Sequence, residues 1–250
     1  MNQEQQLFVK RIRQLEEASW QESRYVFTDF LNEAEYSDVL SLGEPACGMQ
    51  AYGGFPGAER VMVRFGDPAV LGYEEPFPVT ILRIRPLMEK FADTLTHRDF
   101  LGAILNLGID RRVIGDILID QTTGYAMCSS VMADYLSENL TRVKHTSVQT
   151  EPVSSLPEGL EPKLASLQIQ AGSNRLDAVV AQVYRLSRSL AQELIRNGQV
   201  FINGRAALST SVPLHENEEV SVRHHGKFRY IGPVGQTRKG NLRIQIAQFV

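Results

Sequence analysis

Cysteine is scarce. Cys47 and Cys128 are the two in 250 residues, and no CxxC pair occurs. A disulfide framework and a zinc ribbon are excluded, and both thiols are expected as small core hydrophobes in a reducing compartment. The five histidines show no ligand spacing. His224-His225 is an adjacent pair, but neighbours on a strand point to opposite faces, so surface histidine rather than a metal site is expected. No apolar run approaches the roughly 20 residues that span a bilayer. The opening "MNQEQQLFVKRIRQLEE" is polar and lacks the apolar centre of a secretory signal, so a cytoplasmic protein is expected. "YGGFPG" (52–57) is glycine-rich but lacks the Gly-Lys-Ser/Thr ending of a phosphate loop, and reads as a turn. No metal and no cofactor are expected.

The remaining composition, 43% hydrophobic and 22% charged, is that of a globular protein rather than a disordered or fibrous one. The length suits one large domain or two to three small ones. A net charge of −3 hides an asymmetry: Gly172 to Val250 holds eleven Lys/Arg against five acids, leaving −9 on the first 171 residues. A basic C-terminal module on an acidic body points to a polyanionic partner.

Punctuation divides the chain. "QTEPVSSLPEGLEP" (149–162), with three prolines, reads as a linker. Before it, "VTILRIRP" (79–86) reads as a strand, and "THRDFLGAILNLG" (96–108) as a helix capped by Thr96, supported by Asp99 and ended by Gly108. "RVIGDILID" and "TGYAMCSS" read as strands, "VMADYLSENL" as a helix, and "TRVKHTSVQT" as β-rich. That βαββαβ order predicts a ferredoxin-like (RRM-like) sheet. In the first 75 residues "EQQLFVKRIRQLEEASW" and "YVFTDFLNEAEYSDVLSLG" have helical spacing, and "GMQAYGGFPGAERVMVRFGD" reads as a turn then a strand. The expected fold class is α+β: an N-terminal α/β subdomain (1–75), a central βαββαβ domain (76–150), a linker (151–172) and a C-terminal module (173–250).

"TGYAMCSS" partly matches the aromatic signature of RNA-recognition sheets. Tyr125 fits, but Met127 replaces an aromatic and "VTILRIR" offers none, so base stacking there is disfavoured. Arg83, Arg85, Arg111, Arg112 and Lys144 are the better candidates for RNA contact on that domain.

The C-terminal module carries the chemistry. "NRLDAVVAQVYR" sets Leu176, Val179, Val180 and Val183 on one helical face. "SRSLAQELIRNG" is a second helix, capped by Ser187 or by Ser189 with Gln192 at capping-box spacing, and ended by Gly198. "QVFINGRAA" is a hairpin around Asn203-Gly204, the usual type I′ pair. Arg188 lies in the first turn and Arg196 about 80° further round the axis. A helix start with free N–H groups suits a phosphate, and Arg188 and Arg175 add forked donors. "GKFRYIG" (226–232) and "TRKGNLRI" (237–244) alternate basic and apolar residues on expected strands that could extend the surface. Asp177 reads as an acid placed to favour the helix dipole rather than as a catalytic group.

"RLDAVVAQVYRLSRSLAQELIRNGQVFINGRAALSTSVPLHENEEVSV" resembles the S4 RNA-binding domain through Arg175-Leu176-Asp177, Ser187-Arg188-Ser189, Ala191, Ile195, Gly198-x-Val200 and Asn203-Gly204. One departure is Glu219, where that family often has Asp. The resemblance implies a face of two helices and a hairpin that grips structured RNA, often rRNA or tRNA. "THRDFLGAILNLGIDRRVIGDILI" before the module and "GKFRYIG" after it are similar to the bacterial YlmH group over most of the chain. That similarity implies a non-enzymatic RNA-binding protein on the large ribosomal subunit, active in ribosome-associated quality control of stalled peptidyl-tRNA. The implied RNA-binding residues are Arg175, Ser187, Arg188, Ser189, Gln192, Arg196, Gln199, Asn203, Arg205, Lys227 and Arg229. The basic face argues for a monomer. The alternatives are an RNA-modifying enzyme of the pseudouridine synthase kind with an appended S4 domain, and a cell-division or ribosome adaptor.

Overall fold

A computed structural model describes residues 3–250. Met1 and Asn2, the start of the expected N-terminal subdomain, lie outside the described residues. Two compact units divide between Glu161 and Pro162.

In the first unit, α1 (Gln3–Glu22) turns Phe8, Ile12, Leu15 and Ser19 inward at spacings of four, three and four, the period of one helical face. It lies on a small antiparallel sheet of β1 (Val26–Phe27), β2 (Met49–Tyr52) and β3 (Met62–Phe65), in the order β1-β3-β2. The helix expected over 25–43 begins only at α2 (Glu33–Ser41). Asn32 stops the preceding extended chain and starts the helix: its Oδ1 accepts from Glu35 N at 3.0 Å, and Glu35 accepts from Asn32 N at 2.8 Å. The turn-then-strand reading of 48–67 becomes a hairpin, β2 to β3, followed by the single turn α3 (Pro68–Leu71). Arg64, 1% exposed, sits in the central strand. Its guanidinium lies over the rings of Tyr25 and Phe77 at 4.6 and 5.1 Å and donates to the Glu75 carbonyl and to Gln50.

The middle of the chain follows the expected order: β4 (Val79–Pro86), α4 (His97–Leu105), β5 (Ile114–Asp120), β6 (Thr123–Ser129), α5 (Ala133–Asn139), then a hairpin of β7 (Arg142–Val143) and β8 (Thr146–Val153). The sheet order β5-β6-β4-β8-β7, antiparallel throughout, is that of a split βαβ sheet with one added edge strand. Thr96 and Asp99 form the capping box at the start of α4. One face, with Leu82, Ile84, Ala126 and Cys128, packs under Phe100, Ile104 and Leu136 of the two helices. Gly124 makes that packing possible, since a Cβ there would lie 2.6 Å from the Phe100 ring.

The opposite face is the one an RNA-recognition sheet uses to stack bases. Here it is covered. Ile81, Tyr125 (7% exposed) and Met127 are buried against Phe30, Phe55 and Met62 from the N-terminal segment. The "YGGFPG" turn is the cover: Gly54 takes a φ of +105° and lies so close that a Cβ would reach within 2.6 Å of Met127. Arg60 and Asp116 fasten it. Arg60 donates to the carbonyls of Ile114 and Phe30 at 3.0 and 2.9 Å, and Asp116 accepts from Glu59 N at 2.6 Å. The Ile114 carbonyl sits where β5 bulges against β6, a place where ladder pairing is broken.

In the second unit, much of the expected linker is sheet: β9 (Leu164–Ala171) pairs along its whole length with β14 (Leu242–Phe249). Its alternating burial at Ile169 and Ala171 places it on the core, a two-residue period that the prolines upstream mask. Between them come α6 (Leu176–Val183), α7 (Arg188–Arg196), β10 (Val200–Ile202), β11 (Arg205–Ala206), β12 (Glu219–Val222) and β13 (Gly226–Gln236), in the sheet order β11-β10-β12-β13-β14-β9. Val179, Val180, Ala191 and Ile195 pack on Val220, Phe228 and Ile246. Asn203 and Gly204 both take positive φ, as a type I′ turn requires. The stretch 237–244, expected as strand, is a turn up to Asn241. His224 and His225 occupy the β12–β13 turn, with His224 at φ +66°, so the expected strand geometry of that pair does not apply.

Phe55→Ala should cost the first unit about 3 kcal/mol. Peptide-resolved hydrogen exchange should speed up over 79–85 and 123–129 and stay constant over 176–196. Unaltered exchange in the first unit would mean that the turn does not hold the sheet face closed.

Candidate nucleic-acid interface

α6 begins at Arg175 with an acid on its buried side. Asp177 has 0% exposure although its neighbours Leu176, Ala178, Val179 and Val180 make an apolar core face. A buried carboxylate needs compensation, and three side chains supply it. Arg175 donates through Nε and Nη2 at 3.2 and 3.3 Å, Arg188 through Nε and Nη2 at 3.1 and 3.3 Å, and Gln192 through Nε2 at 2.7 Å. Burial by itself raises the carboxyl pKa, but the hydrogen bonds from Arg175, Gln192 and Arg188 outweigh it and hold the group at about 2. Asp177 does lie in the first turn of α6, as expected of an acid that favours the dipole, and the structure adds a second role, as the group that holds Arg175, Arg188 and Gln192 together. The signal in the sequence was an acid within a run of core residues.

Each predicted residue can now be placed. Ser187, not Ser189, caps α7, its Oγ accepting from Leu190 N at 3.1 Å. Gln192, expected as half of a capping box, is turned to Asp177 instead. Ser189 is exposed in the first turn beside Arg188, whose side chain stays 57% exposed while tied to Asp177. Arg188 therefore presents a guanidinium already oriented. Arg196, in the last turn, is exposed and has no acidic partner among the described residues, and Gln199 follows half-buried. Arg205 lies exposed on the edge hairpin.

Lys227 and Arg229 converge on a second carboxylate, that of Glu219, whose backbone Asn203 holds. Glu219 pairs with Lys227 at 2.5 Å and with Arg229 at 2.6 Å, and its backbone N–H donates to Asn203 Oδ1 at 2.9 Å. Burial raises the Glu219 pKa, yet Lys227 and Arg229 bring it below the ordinary value. Lys227 is only 11% exposed. Phe228 and Tyr230 point to the core under the helices, so Lys227 and Arg229 lie on the other side of the sheet. The residues expected to contact RNA therefore lie on two faces: a helical face built around Asp177 and a sheet face built around Glu219. On the sheet face two aromatics are capped by cations, Phe201 by Arg223 at 5.2 Å and Phe249 by Lys227 at 5.1 Å.

The bases named on the central domain are engaged internally. Arg83 and Arg85 meet Glu151, Arg112 meets Asp110, Lys144 meets Asp99, and Arg111 donates to carbonyls of the β5 bulge. With Tyr125 buried, the one aromatic that fitted the stacking signature is closed off from bases.

Residues 73–156 match the family model described as "Putative RNA-binding domain in YlmH", and residues 174–220 match the S4 domain. The chain pairs a YlmH RNA-binding domain with an S4 domain. A curated relative, the ribosome-associated protein quality control protein P2 of Bacillus subtilis (strain 168), is 28% identical over 225 residues, covering 88% of this chain and 86% of that protein. A solved structure, the cell division protein ylmH from Streptococcus pneumoniae, is 20% identical, covering 61% of this chain and 93% of its own, with a TM-score of 0.49. No helix among the described residues is long and apolar enough to cross a membrane.

Within the S4 domain the depressed pKa of Asp177 has a consequence for stability. An unfolded Asp titrates near 3.9, so the clamp contributes fully above about pH 4 and is lost as pH falls through about 2. The shift corresponds to about 2.5 kcal/mol. Asp177→Asn should lose about 2–3 kcal/mol at pH 7 and flatten the acid limb of thermal stability between pH 4 and 2. An unchanged acid limb would show that Asp177 is not the group titrating there.

Proposed function

We propose that this chain is a non-catalytic RNA-binding factor that binds structured rRNA and tRNA on the large ribosomal subunit in the cytoplasm. It acts as a monomer in quality control of stalled peptidyl-tRNA. The observation that carries the reading is the Arg175–Asp177–Arg188 clamp at the start of α7 inside an S4 domain. Two guanidinia held by one buried carboxylate keep a net positive charge and a fixed orientation, which suits a phosphate and lowers the ordering cost of binding it. The name of the Bacillus subtilis relative, a ribosome-associated protein quality control protein, supports the ribosomal setting, and the family matched by residues 73–156 is described as a putative RNA-binding domain. Affinity in this reading comes mainly from phosphates and falls with salt. Specificity comes from RNA shape.

Co-sedimentation with purified large subunits across a salt series tests it. Wild type should travel with the subunit, and Arg188→Glu/Arg196→Glu should bind about 100-fold more weakly, roughly 2.7 kcal/mol for two lost charged contacts. Arg188→Gln/Arg196→Gln, which adds no acid beside Asp177, should fall in the same direction with the fold intact by circular dichroism. Equal binding by all three proteins would remove the helical face from the interface, and absence of wild-type binding would remove the ribosomal reading.

A further inference from the structure

The family description assigns RNA binding to the central domain, yet its sheet face is closed by the N-terminal turn and the bases named from the sequence are engaged internally. Eight bases lie between residues 73 and 156. Lys90 also has a partner. Arg98 and Arg142 are the exceptions: both are exposed, and neither makes a hydrogen bond or ion pair among the described residues.

These two line the same concavity. A groove of about 500 Å³ runs beside α4, between that helix and the chain that leaves α5 and turns through β7. Arg98, Gly102 and Asn106 line it from α4, and Asn139, Arg142 and Lys144 from the facing segment. Asp99 is also in the lining, paired to Lys144 at 3.6 Å, which leaves the groove two positive charges in excess. Gly102 keeps the floor open: a Cβ there would meet no atom within 4 Å. The stretch of α4 from Arg98 to Asn106 is about 12 Å long at the helical rise, room for more than one charged group of an extended chain.

We propose that this groove is a second RNA-backbone site, in which Arg98 and Arg142 hold phosphates and the amides of Asn106 and Asn139 flank the ribose-phosphate chain. The proposal rests on the reading of the chain as an RNA-binding factor and gives the central domain its contact, on the helical side rather than on the sheet. Unpaired guanidinia in a domain that otherwise engages its bases with acids or carbonyls have no evident folding role, because their removal leaves no buried acid uncompensated. An acidic protein segment would share the charge complementarity. Protein interfaces, however, are centred on large anchors such as Trp and Tyr; no aromatic is among the described residues that line this groove, and its Leu107 and Leu140 belong to the domain's own core. Phosphate contacts need no such anchor.

The experiment uses the full chain and purified large ribosomal subunits. Binding is titrated against potassium chloride for wild type, Arg98→Gln/Arg142→Gln and Gly102→Glu. The last variant puts an acid into open space on a helix at a position where glycine is the weaker helix former, so it tests the groove without threatening the fold. The double variant should bind more weakly and reduce the slope of log K against log salt by about 2, one for each lost phosphate contact. Gly102→Glu should weaken binding several-fold. In parallel, a photo-crosslinking p-benzoylphenylalanine replaces Asn106 in one protein and Arg196 in another. Crosslinks to RNA from position 106, with the reduced slope, support the proposal. Crosslinks from 106 to a ribosomal protein overturn it in favour of an acidic protein partner. RNA crosslinks from 196 alone, with an unchanged slope, overturn the groove and leave the S4 reading standing. Failure of wild type to bind the subunit removes that parent reading and the groove with it.

Discussion

A carboxylate with no exposed surface at the first turn of a core helix would be costly alone, and the architecture of the S4 domain is arranged around compensating it. Asp177 draws Arg175 from its own helix start and Arg188 and Gln192 from the next helix. One group thereby fixes how α6 and α7 meet and where two guanidinia point. Ser187 capping α7 through Leu190 N sets the same turn from the backbone side. Stability and the orientation of the exposed guanidinia are one property here, because the arginines that satisfy the buried charge through Nε and Nη2 are themselves partly exposed.

The two units handle positive charge in different ways. In the first, Arg64 and Arg60 are used as internal fasteners, held by carbonyls, rings and an amide, and Arg83, Arg85 and Arg112 are spent on Glu151 and Asp110. The "YGGFPG" turn and Phe30 then seal the sheet face that the same topology leaves open in RNA-recognition modules. In the second unit Asp177 and Glu219 each gather more than one cation, so positive charge survives the pairing. The charge asymmetry, twelve Lys/Arg against five acids over 162–250 and fourteen against twenty-four over 1–161, thus understates the contrast, since the first unit also engages most of the bases it has.

The βαββαβ order was legible because each strand and helix there is bounded by its own signal: Pro86, the Thr96–Asp99 box, Gly108, the turn at 121–122. The two S4 helices and the Asn203-Gly204 turn were legible for the same reason. Long-range constraints were not. Strand β9 sits behind a proline-rich stretch, and its partner β14 is more than seventy residues away, so local composition reads it as linker. The cover on the central sheet depends on Gly54 meeting Met127 and Arg60 meeting a bulge carbonyl, contacts with no sequence period. Of the site residues, the cap and the exposed arginines follow from helix position, whereas the partners of Arg188, Gln192 and Lys227 follow from Asp177, an acid set in a run of core residues, and from Glu219, which looks like ordinary surface charge in the sequence.

Glu219 and Asp177 also bear on what kind of RNA recognition the domain can perform. Neutralising part of each cation pair lowers the long-range field and with it the number of counterions a bound phosphate displaces. The same pairing removes rotamer freedom from Arg188, Arg175 and Arg229, so less is lost when they meet a ligand. Attraction at a distance is traded for orientation at contact. Under the proposed function, a domain built in this way would discriminate by whether phosphates are spaced to meet fixed guanidinia, which is a property of the folded shape of an RNA. With Tyr125 buried and Phe201 and Phe249 of the S4 sheet face capped by cations, these rings are turned to the protein's own groups rather than to bases, which agrees with a proposed interface that reads backbone geometry.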